Sequence, residues 1–85
     1  MMSAKEMFEE INMYKQNVVY PDKVIMYSDI RTKLVITFYL EKKEIAIDSL
    51  KDGQSKRYEL SYKVFQAINK QIEELGWKVG SDNNE

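Results

Sequence analysis

Cysteine and histidine are both absent from these 85 residues. That removes disulfides, thiolate nucleophiles, imidazole acid–base chemistry and any zinc site built from those ligands. A chain without cysteine also suits a reducing compartment. Glycine appears only at Gly53, Gly76 and Gly80, so no glycine-rich phosphate loop can be assembled. Proline appears once, at Pro21. No apolar run approaches the ~20 residues of a membrane span, and the first residues hold no signal-peptide core. An excess of one charge is missing too: 13 basic and 14 acidic side chains leave a net charge of −1. That balance suits neither a polyanion sponge nor an acidic mimic. The expectation is a cytoplasmic chain with no membrane partner and no cofactor.

Hydrophobic content of 44% with 32% charged residues is ordinary for a globular domain. A chain this short makes one domain of modest stability, burying roughly 60–65% of its unfolded surface. Residues 1–78 are expected to form that domain, with residues 79–85 a disordered polar tail.

Two helix signatures bracket the chain. Ser3 and Glu6 form a capping box, and Ala4, Met7, Phe8 and Ile11 share one helical face. Asn12 follows as a left-handed stop, giving a first helix from about Ala4 to Ile11. At the other end Ser61 caps a helix whose stripe is Val64, Phe65, Ile68, Ile72 and Leu75. Gly76 permits a Schellman ending that sets Trp77 over Ile72.

Between them the period becomes alternating. Val18–Tyr20 is a short extended run stopped by Pro21, Val24–Tyr27 a strand, and Leu34–Leu40 the strongest strand signal. Glu44–Leu50 follows a tight turn with Lys42 and Lys43 at its tip, which would set Leu40 opposite Ile45 and Phe38 opposite Ile47. Asp52-Gly53 is a turn leading to a short fourth strand around Lys56–Glu59. The expected fold is a small two-layer α+β domain, order α-β-β-β-(β)-α, with an antiparallel meander and two amphipathic helices.

The sheet face away from the helices is the candidate site. It would carry Val35, Thr37, Tyr39, Ala46, Asp48 and Leu50, together with Tyr27, or Met26 in its place. This mixture is apolar for solvent and polar for a core. It suits an interaction or self-association surface, against the competing reading of an ordinary half-solvated sheet back. Residues 31–63 carry a net +3, and the flanking segments −2 each. Lys42, Lys43, Lys56 and Arg57, with Tyr27 and Tyr39, are therefore the candidate contacts of an alternative single-strand nucleic-acid site. Lysines at turns and strand edges also serve simply to prevent edge pairing.

Carboxylates do not converge. Glu9 with Glu10, and Glu73 with Glu74, are adjacent on helices and point about 100° apart. Glu41 and Glu44 enclose two lysines, and Asp48 is expected beside Thr37. With no histidine to activate a serine, a catalytic or metal site is not expected.

The stretches AKEMFEE at Ala4–Glu10 and AINKQIEELGW at Ala67–Trp77 resemble short uncharacterised proteins encoded by phages and prophages of Gram-positive bacteria. They cover about a fifth of the chain and are made of helix stripes and caps. In that group the first helix ends in a Leu-Gly-Tyr-like tripeptide, where this chain has Ile11-Asn12-Met13. The resemblance implies a phage-related origin, an α-β-β-β-α order and a location in the host cytoplasm. It brings no catalytic residues. Together these features lead to the expectation of a small non-enzymatic protein that binds a host or phage protein, or pairs with itself as a homodimer.

Overall fold

The computed structural model describes residues 1–49 and 60–77. Helix α1 spans Ala4–Glu10, followed by strands β1 (Tyr14–Val18), β2 (Val24–Asp29), β3 (Leu34–Tyr39) and β4 (Glu44–Ser49), then helix α2 (Tyr62–Leu75). The strands form one antiparallel meander in the order β1-β2-β3-β4. It is a small two-layer α+β domain with both helices on one face of the sheet. The fourth strand expected around Lys56–Glu59, and the tail at 79–85, lie outside the described residues.

Both helices begin and end by the means their sequences encode. Ser3 Oγ accepts from the Glu6 N–H at 3.1 Å, and the Glu6 carboxylate accepts from the Ser3 N–H at 2.9 Å. Asn12 takes a left-handed φ of 65°. The N–H groups of Asn12 and Met13 then donate back to the carbonyls of Glu9 and Phe8. At the end of α2 the same pair of bonds runs from Gly76 to Glu73 and from Trp77 to Ile72, with Gly76 at φ 76°. Both endings are Schellman motifs. In each, the residue that folds back is apolar and joins the core, Met13 fully and Trp77 in part.

The edge strand β1, Tyr14–Val18, shares only Val18 with the extended run expected at Val18–Tyr20, and Val19 and Tyr20 lie outside any strand. Its sequence YKQNV shows no apolar alternation because four of its five residues are exposed. Strand β2 likewise extends two residues beyond Tyr27 to Asp29.

Two loops of one design set the meander's register. Residues 30–33 and 40–43 each end on a lysine with positive φ, Lys33 at 63° and Lys43 at 58°. Their N–H groups donate to the carbonyls of Asp29 and Tyr39, each at 2.8 Å. With four residues in the second loop, Phe38 pairs with Ile45 and Ile36 with Ile47. The expected pairing of Leu40 with Ile45 was thus two residues out of register. Side chains kept their face, because the side-chain period of a strand is two. The same slip corrects the expected neighbour of Asp48, which stands opposite Val35 while Thr37 stands opposite Ala46.

Asp29 organises the first loop. It is buried, and its Oδ1 accepts from the N–H of Arg31 at 2.8 Å and of Thr32 at 3.4 Å. Burial opposes the charged form, but these N–H groups and the Arg31 guanidinium outweigh it and hold the carboxyl below its ordinary value. A depressed pKa contributes stability that is complete above the unfolded value of about 3.9 and is lost as pH falls through the folded one. Asp29→Ala is expected to cost about 1–2 kcal/mol in urea unfolding at neutral pH. Asp29→Asn, which keeps an acceptor oxygen, should cost less and flatten the acid limb of stability. An acid limb unchanged in Asp29→Asn would refute this role.

The core is built from Phe8, Met13, Ile25, Tyr27, Ile36, Phe38, Val64, Ala67 and Ile68. Phe8 of α1 stacks on Tyr27 with ring centroids 3.8 Å apart, and both rings meet Phe38 edge-on. The α2 stripe is rotated from the expected one. Phe65 is 54% exposed, and Ala67 and Gln71 face the core in its place. The start of α1 is tied to the last turn of α2, where the Glu74 carboxylate accepts from the Ala4 N–H at 2.8 Å. No helix among the described residues is long and apolar enough to cross a membrane.

Candidate functional site

Antiparallel pairing sorts the strand residues into two faces, because partners across a ladder point the same way. Ile25, Tyr27 and Asp29 share a face with Leu34, Ile36 and Phe38, and with Ile45 and Ile47. This is the face the helices cover. The other face is a grid of three rows. One row runs Tyr14, Ser28, Val35, Asp48; the next Gln16, Met26, Thr37, Ala46; the last Val18, Val24, Tyr39, Glu44. Among the described residues no helix or strand packs on it.

Of the residues expected on this surface, Val35, Thr37, Tyr39, Ala46 and Asp48 are there. Tyr27 is not. It is fully buried on the helix face, where its hydroxyl donates to Gln71 Oε1 at 2.6 Å. Its placement on the open face, and its use as a base-stacking platform, are both corrected by this. Met26 holds the open-face position. Leu50 lies outside the described residues. The sequence reading missed Val24, Ser28, Glu44 and the β1 residues Tyr14, Gln16 and Val18. Only the alternation of Val24, Met26 and Ser28 could have signalled the β2 part, and Ile25 and Tyr27 offered an equally apolar alternation beside it.

The grid has an apolar floor and a polar rim. Val24, Val35 and Thr37 are nearly closed off by their neighbours, at 7–9% exposure. Met26, Tyr39, Ala46 and Val18 are half-buried, whereas Tyr14, Gln16, Glu44 and Asp48 are exposed. The β4 rim carries two acids and none of the twelve grid positions is basic. Lys42 comes over the Tyr39 ring from the adjoining loop, 4.6 Å from its centroid, and lies 3.8 Å from Glu44. Such a face offers contact area with hydrogen-bonding edges, and its twelve positions supply no cation of their own to hold phosphate. Lys42 and Lys43 stand together at the tip of the β3–β4 loop, while Lys56 and Arg57 lie outside the described residues.

Three of the other carboxylates are engaged locally or between the helices. Glu9 pairs with Lys5 at 2.7 Å, Glu73 with Lys70 at 3.0 Å, and Glu74 caps α1. The Glu9 bond, then its charge, raises the Lys5 pKa, and the Ser3 N–H lowers that of Glu6. Among the described residues no group of three or more acids stands where a metal ion could be held. No family model matches the chain, and neither a curated protein nor a solved structure matches it.

Proposed function

We propose that this chain is a small non-enzymatic protein of phage or prophage origin that acts by binding another protein through the open sheet face. The observation that supports this reading is the grid itself. An apolar floor of Val24, Val35 and Met26 is ringed by polar side chains, and among the described residues no helix covers it. An aromatic side chain bordering such a floor is a common anchor of a protein interface. Tyr39 borders it from the last row, with Val24 beside it on one strand and Glu44 on the other.

The test is Tyr39→Glu in tagged protein used to capture partners from host lysate, with and without nuclease. Because Tyr39 lies outside the core, the variant should keep its circular dichroism and unfold within about 1 kcal/mol of the parent. Capture of a nuclease-resistant protein should fall by roughly tenfold or more. Undiminished capture would defeat the assignment, as would loss of every captured species on nuclease treatment, which would favour nucleic acid instead. Unfolding by Tyr39→Glu would show that the face is covered and defeat it equally.

A further inference from the structure

Among the described residues the outer edge of β1 carries a single device against edge pairing, the lysine Lys15. Tyr14–Val18 is extended over five residues, contains no proline and carries one charge, Lys15. Tyr14 and Gln16 are exposed on the open face, and Lys15 and Asn17 are exposed on the helix face. Among the described residues no strand pairs with its outer side. We propose that this edge pairs with the same edge of a second copy, antiparallel about a two-fold axis through Gln16. The product is one continuous sheet with four strands from each copy.

The residues of β1 favour its own copy as the occupant. With Gln16 opposite itself, Tyr14 stands opposite Val18 of the other copy, and Lys15 opposite Asn17. No like charges meet, and an aromatic residue meets a β-branched one twice, which is a favourable cross-strand pair. Residues of equal parity face each other, so the outward N–H and C=O groups of the two strands coincide. Among the described residues β4 is the other edge, and the corresponding register about its own middle is unfavourable. Pairing β4 with itself about Ala46 sets Glu44 opposite Asp48, an acid against an acid, on both sides of the axis.

The seam would lengthen the open face. One row then runs Val35, Ser28 and Tyr14 of one copy into Val18, Val24 and Tyr39 of the other. A ladder of five residues is smaller than the ~1,600 Å² of a standard interface. The dimer is therefore a weak one that forms with rising concentration.

A chain without cysteine makes the register directly testable. In Gln16→Cys the two sulfur-bearing residues face each other with Cα atoms about 4.5–5.5 Å apart, within disulfide range. Mild oxidation should convert most of that variant to a linked dimer. In Tyr14→Cys the equivalent residues lie four positions apart along the ladder, roughly 13 Å, and should not link. Without oxidation, sedimentation of the parent chain over a concentration series should show monomer passing to dimer. Gln16→Lys, which sets two lysines on the axis, should weaken it by roughly tenfold with unchanged circular dichroism. A parent that stays monomeric, or equal linking of Tyr14→Cys and Gln16→Cys, would overturn the proposal. So would a dimer dissolved by Tyr39→Glu and indifferent to Gln16→Lys. Partner capture that depends on Tyr39 in a strictly monomeric chain would overturn the edge and leave the open-face reading intact.

Discussion

Replacing Phe8 by alanine is expected to lower the unfolding free energy by about 3–5 kcal/mol. A domain of 85 residues holds only about 4–13 kcal/mol in all, so the variant should be largely unfolded at elevated temperature. The size of the effect comes from position. Helix α1 has only seven residues, too few to be stable alone, and it is held to the sheet by Phe8. The ring is fully buried, stacks on Tyr27 and meets Phe38 edge-on. Alanine removes the buried area and leaves a cavity between α1 and β2 that the aromatic rings cannot fill without leaving their rotamers. Urea unfolding followed by far-UV circular dichroism measures the loss. Phe8→Leu, which keeps most of the volume but not the ring contacts, should recover a large part of it. A cost under about 1 kcal/mol for Phe8→Ala would mean that α1 does not pack on β2 as described.

Tyr27→Phe is expected to cost about 1–3 kcal/mol although it removes one oxygen atom. That oxygen donates to Gln71 Oε1 at 2.6 Å, and both side chains are buried. Without the hydroxyl the Gln71 amide is left in the core with no partner for its oxygen, and the loss is mainly that desolvation. Tyr27→Phe combined with Gln71→Leu should therefore be more stable than Tyr27→Phe alone, and the double-mutant cycle gives the coupling. Burial of this hydroxyl also has a signature in pH. Burial, and secondarily the negative charges of Glu74 and Glu9, push the Tyr27 hydroxyl up from 10.0 to about 12. The unfolded chain then loses this proton before the folded one does. Stability from Tyr27 is complete below pH 10 and is lost as pH rises toward 12. Above pH 10 the urea midpoint of the parent should fall more steeply than that of Tyr27→Phe; equal slopes would remove the hydroxyl from this role.

Phe8 is legible from the helical stripe of α1, whereas Tyr27 and Gln71 are not legible from residues alone. Tyr27 and Met26 compete for the core from adjacent positions of β2, and each belongs to an apolar alternation. What decides between them is the pairing of Tyr27 with Ile36 and Ile25 with Phe38. That register depends on a four-residue loop with Lys33 in a left-handed conformation, which lysine does not advertise. Gln71 looks like a solvent residue of α2 until Tyr27 gives its amide a partner across 44 positions of sequence. Its burial, with that of Ala67, displaces Phe65 to the surface. Glu74 reads as one of two adjacent acids and serves as a cap for α1, because the start of α1 meets the last turn of α2 only in the folded chain.

Local chemistry, by contrast, was written in full. Ser3 with Glu6, Asn12, Ser61 and Gly76 satisfy helix-terminal groups with partners three to five residues away, so their roles need no tertiary knowledge. The alternation of Leu34, Ile36 and Phe38 likewise determined the covered face of β3, and with it Val35, Thr37 and Tyr39 on the open one. Tertiary structure alone decided the rest of the site. Strand β1 exists because β2 offers it a hydrogen-bonding edge; its polar sequence carries no burial pattern since four of its five residues are exposed. Pairing through backbone groups leaves no imprint on side-chain periodicity, and that is why the edge proposed to join two copies was the element the sequence concealed.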